Sequence, residues 1–112
     1  MNEIEDNQAK WELRKGDILI GTLDAYYKGT FWFTAQFSPT HEFEMYRKIF
    51  SEGHFYDNKP YLDNMSWEKW MEQIKHLGMH LIRLSDQAIP SEFILHVKND
   101  RADFRVYFDK TD

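Results

Sequence analysis

The chain has 112 residues, and 19 of them are Phe, Trp or Tyr. That is one domain by length, with enough aromatic surface to build a core without disulfides or metal, so extensive disorder is excluded. The formal charge is −5 and there are no cysteines. The first disfavours phosphate-rich partners such as nucleic acid. The second excludes a thiol nucleophile, a disulfide scaffold and a Cys-ligated zinc.

The polar, acidic start MNEIEDNQAKWE predicts no signal peptide. No apolar run reaches the roughly 18 residues of a transmembrane helix. The expectation is a cytoplasmic protein. Residues 1–8 are expected to form a flexible acidic tail, and residues 9–112 a single α+β domain.

The alternation over Lys10–Arg14 predicts a half-buried strand, and Lys15-Gly16-Asp17 a turn. Ile18–Leu23 is β-branched and predicts the partner strand of a hairpin. Gly21 inside it predicts a bulge or a large aromatic lying over the backbone. Tyr26–Thr30 predicts the next turn. Thr30–Phe37 then reads as a strand with Phe31, Phe33, Ala35 and Phe37 on the core face and Trp32 on the other.

Ser38 and Pro39 predict a helix start, with Ser38 as cap and Pro39 at the first helical position. Phe43, Tyr46, Ile49 and Phe50 form one apolar stripe, and Gly53 predicts its end. Residues 54–64 predict a loop packed on the body. Ser66 is the expected cap of a second helix, Trp67–Leu77. Its Trp67, Trp70, Met71, Ile74 and Leu77 keep strict helical spacing, and Gly78 closes it.

Three strands follow: Met79–Leu84, Glu92–Lys98 and Ala102–Phe108. Phe93, Leu95 and Val97 are expected to face inward from one, and Phe104, Val106 and Phe108 from the next. The order β-β-β-α-α-β-β-β predicts an α+β fold. Its mainly antiparallel sheet has about six strands, with two helices packed on one face.

Catalytic signals are weak. His76 and His80 have a helical i, i+4 ligand spacing, but Gly78 lies between them and should end the helix and separate them. His96 sits on the strand face opposite Leu95 and Val97, where an ordinary solvent-facing histidine is the simpler expectation. If a second layer covers that face, Asp103 or Arg105 on the next strand could partner it. No nucleophile motif or glycine-rich phosphate loop is present. No catalytic residue, cofactor or metal is therefore expected.

The aromatic excess carries the functional expectation. Tyr26, Tyr27, Phe55, Tyr56 and Tyr61 fall in connections, with Asp57 and Asp63 among them. Together these seven residues form a candidate protein-partner surface. Its acids would favour a basic partner, and an immunity-type or regulatory binder is one concrete form. The alternative is a small-molecule-binding domain or enzyme with an aromatic pocket between the sheet and the Trp67–Leu77 helix.

Gly21-Thr22-Leu23, Phe31-Trp32-Phe33, Phe37-Ser38-Pro39-Thr40 with Phe43-Glu44, and Arg47-x-x-Phe50 resemble a pattern of small bacterial proteins of unassigned function. Those carry a Gly-Thr-Leu strand, a Trp-bearing strand and a Phe-x-Pro-x-x-x-Phe helix entry. Phe93-x-Leu95-His96 and Ala102-x-Phe104-Arg105 are similar too. The resemblance implies a bacterial cytoplasmic origin and transfers no catalytic role.

Overall fold

The computed structural model describes residues 8–51 and 64–108, and of 64–68 the backbone alone. The strands are β1 (Lys10–Lys15), β2 (Ile18–Lys28), β3 (Phe33–Pro39), β4 (Met79–Arg83), β5 (Glu92–Lys98) and β6 (Arg101–Tyr107). A 3-10 helix, His41–Tyr46, runs on into helix α1, described over 47–51. Helix α2 is Asn64–His76. The fold is α+β: one six-stranded antiparallel sheet in the order β4-β1-β2-β3-β6-β5, joined by two helices. The sheet curls until its edge strands β4 and β5 approach each other.

One core fills the concave side. Trp11, Leu13, Leu23, Phe33, Ala35, Phe37, Leu95, Val97 and Phe104 come from the sheet, and Phe43, Phe50, Trp70 and Ile74 from the helices. The alternation in β1, β3, β5 and β6 sends one face of each strand into it. Phe33 stacks on Phe104 at 4.9 Å, and Phe37 meets Phe43 edge-on at 4.7 Å. Trp70 is anchored by its indole N–H, which donates to the Ile49 carbonyl at 2.6 Å. Helix α2 stops as expected: Gly78 takes φ +72°, a conformation cheap only for glycine.

Gly21 meets both expectations at once. Phe37 lies over it, and the β1–β2 register slips beside it, between Leu13↔Gly21 and Arg14↔Leu19.

Five local expectations are corrected by the structure. Tyr26–Lys28 is strand, since β2 pairs with β3 as far as Lys28↔Phe33. A bulge between Ala25 and Tyr27 takes up Tyr26, so the hairpin turns later. Phe31 therefore leaves the core face: it sits at the hairpin tip, closed by Gly29 N–H donating to the Trp32 carbonyl at 2.8 Å.

Ser38 and Pro39 belong to β3, opposite Thr22 and Gly21. The β3–β6 pairing has already ended at Gln36, so Pro39 costs no ladder bond on that side. Thr40 then precedes the 3-10 helix without capping it, because its hydroxyl bonds the Leu19 and Ile20 carbonyls at 2.8 and 2.9 Å. Ser66 lies inside α2, which starts at Asn64. Phe108 falls beyond β6 and is exposed, while Val106 only partly joins the core.

Residues 1–7, Gly53, residues 54–63 of the loop expected over 54–64, and the Trp67 side chain lie outside the described residues, while Asn64 begins α2. Gln8 is described, and its carbonyl accepts the Trp11 indole N–H at 2.7 Å. No described helix is long and apolar enough to cross a membrane.

Candidate protein-interaction surface

The β2–β3 hairpin, the start of β1, the ends of β4 and β6 and the start of β5 meet at one end of the sheet. Among the described residues, seven large hydrophobic side chains are exposed, and five are here: Tyr26, Tyr27, Phe31, Ile89 and Phe108. Ile18 and Met45 lie toward the opposite end. Phe31 is 61% exposed and Tyr26 59%, so neither is a core cap. The bulge and tip explain why. Strand alternation buries every second residue only while pairing is regular, and both positions break it.

Arginines interleave with these rings. The Arg105 guanidinium, on β6, is 4.6 Å from the Phe31 ring centre and 4.9 Å from that of Tyr107. Arg83 lies 5.2 Å from Phe108 and 5.7 Å from Trp11. It also grips Asp86 through two bonds, Nε to Oδ1 at 3.0 Å and Nη2 to Oδ2 at 2.8 Å. That grip, helped by the Ala88 backbone N–H, pulls the Asp86 carboxyl down to about 2. An aromatic surface threaded by arginine is the composition of protein interfaces, because both residue types give contact area and directional bonding.

Of the residues singled out in the sequence, Tyr26 and Tyr27 are exposed as a partner surface requires. They stand on a strand end, and the acid nearest them in sequence, Asp24, is paired with Lys10 at 3.2 Å. Phe55, Tyr56, Asp57, Tyr61 and Asp63 lie outside the described residues. The sequence reading missed Phe31, Arg105, Tyr107 and Phe108. The Gly29-Thr30 pair just before Phe31 was the available signal that a tip, and not a strand, falls there.

His96 is not solvent-facing. It is buried on β5 directly across from Asp103, with the Trp32 ring at 5.2 Å and the Trp70 ring at 5.4 Å. These two distant indoles supply the second layer. Asp103 accepts from Thr34 Oγ1 at 2.9 Å and lies 3.4 Å from Arg101 Nη2. Beside this pair runs an open groove of about 240 Å³, lined by His96, Lys98, Asn99, Asp100, Arg101 and Asp103. It is smaller than the roughly 300–1,000 Å³ of ordinary ligand sites.

His76 and His80 do not converge. His76 is exposed at the end of α2, beside Glu72 at 4.0 Å, and His80 pairs with Arg14 in the β4–β1 ladder. Among the described residues no group of three metal-ligating side chains gathers.

No protein-family model matches the chain, and neither a curated protein nor a solved structure matches it.

Proposed function

We propose that this is a non-enzymatic protein-interaction domain that docks a protein partner on its hairpin end. One observation carries the reading: Phe31 is exposed beside Arg105, and Tyr26 and Tyr27 are exposed on the same hairpin, while among the described residues Trp11, Phe33, Phe37, Phe43, Phe50, Trp70 and Phe104 are all buried. Contiguous apolar surface is costly to leave in water, and where it is rimmed by polar groups it marks interaction sites. The net charge of −5 adds a long-range field that steers a basic partner, as an immunity-type or regulatory binder would need.

The test is affinity capture from native cells with the wild-type chain and with a triple Tyr26→Ser, Tyr27→Ser, Phe31→Ser variant of equal melting temperature. The reading expects one protein captured in stoichiometric amount by the wild type and lost with the variant. Equal capture by both contradicts it.

A further inference from the structure

Resting on that reading, we propose that Arg105 is the carboxylate anchor of the surface, so that the partner protein docks an aspartate or glutamate side chain beside an apolar one. The chain has five arginines. Four already hold a carboxylate two or three residues away: Arg14 with Glu12 at 2.7 Å, Arg47 with Glu44 at 2.8 Å, Arg83 with Asp86 at 2.8 Å and Arg101 with Asp103 at 3.4 Å. Among the described residues Arg105 is the exception.

Its exception has a cause. Asp103 stands two residues before Arg105 on the same face of β6, where it could have served. It is instead committed to the Thr34 hydroxyl and to Arg101. Glu92, across from Tyr107, is 3.5 Å from Lys75 on α2. Both of these acids are thus engaged elsewhere, and the partners of Arg105 among the described residues are aromatic.

Those partners hold the guanidinium without using its hydrogens. Contacts with the faces of Phe31 and Tyr107 restrain its position, while a guanidinium keeps five N–H donors in a fixed fork. Such a fork matches a carboxylate with two parallel bonds. A restrained fork loses less side-chain entropy on binding than a free one. Phe31 beside it and Tyr27 on the same hairpin are open to solvent and form no enclosing walls, so the carboxylate arrives on a surface and not as a free small molecule. Overall charge then governs the approach of the partner, and Arg105 governs its register.

The experiment uses the isotope-labelled full chain and two blocked dipeptides, N-acetyl-Phe-Asp-amide and N-acetyl-Phe-Asn-amide, which differ only in the carboxylate. The Arg105 Nε–Hε NMR signal reports occupancy. The acidic peptide should shift it saturably and bind about fivefold more tightly than its amide twin, the scale of a partly exposed charged pair. Arg105→Gln should erase that preference while leaving the rest of the spectrum in place. Equal binding of the two peptides, or no saturable shift, overturns the proposal. Capture from native cells separates the two levels. If Arg105→Gln keeps a partner that the triple aromatic variant loses, the docking surface stands and the anchor is wrong. If the triple variant also keeps it, the surface itself is wrong.

Discussion

Phe37 lies so closely over Gly21 that a Cβ on that glycine would stand 2.5 Å from Phe37 Cζ. Phe37 is buried and packed edge-on against Phe43, so it has little room to retreat. Gly21→Ala should cost about 1–3 kcal/mol, the usual penalty of overpacking a filled core. Chemical denaturation measures this directly. An alanine variant as stable as the wild type would mean that Phe37 does not occupy that position.

Trp70→Ala should cost about 3–5 kcal/mol, the range for emptying a buried aromatic site. Trp70→Phe separates the components. It keeps most of the apolar volume and removes the N–H that donates to Ile49, exposing a loss of about 1–3 kcal/mol for the carbonyl left without that bond. If Trp70→Ala leaves the denaturation midpoint unchanged, α2 is not packed through this residue.

Asp86 should titrate in the folded protein near pH 2, because Arg83 grips it. A carboxyl pKa lowered by folding adds stability above the unfolded value, and that contribution is lost as pH falls toward 2. Carbon-detected NMR of the Asp86 carboxyl gives the midpoint. In Arg83→Ala the midpoint should rise toward the ordinary carboxylate range, near 3.9. An Asp86 midpoint already there in the wild type contradicts the grip.

The strand faces show what was legible in the sequence. Leu95 and Val97 lie two positions apart on one strand face, and a two-residue period needs no knowledge of the rest of the fold. The Gly21 reading succeeded for a similar reason: a glycine among β-branched residues asks what lies over it. Phe31 failed because its face depends on where the β2–β3 hairpin turns, and a bulge near Tyr26 moves that point. His96 failed because its cover comes from Trp32 and Trp70, residues 64 and 26 positions away. The candidate surface was legible in Tyr26 and Tyr27 alone. Arg105 joins it only once β6 is known to lie beside β3.

Tyr26→Ala and Tyr27→Ala should each change stability by no more than about 0.5 kcal/mol, as exposed positions do. The same substitutions should weaken partner binding. Thermal melting with each purified variant checks the first half. Unfolding by either change would return these rings to the core, and the interaction reading would lose its main support.

Photo-crosslinking in native cells tests the docking surface most directly. A photoreactive side chain is placed at Phe31 on the hairpin tip, or at Met45, which is also exposed but lies toward the other end of the sheet. The account predicts one discrete protein adduct from position 31, formed less as salt rises in a parallel lysate experiment, and none from position 45. No adduct from position 31, or the same adducts from both positions, would contradict it.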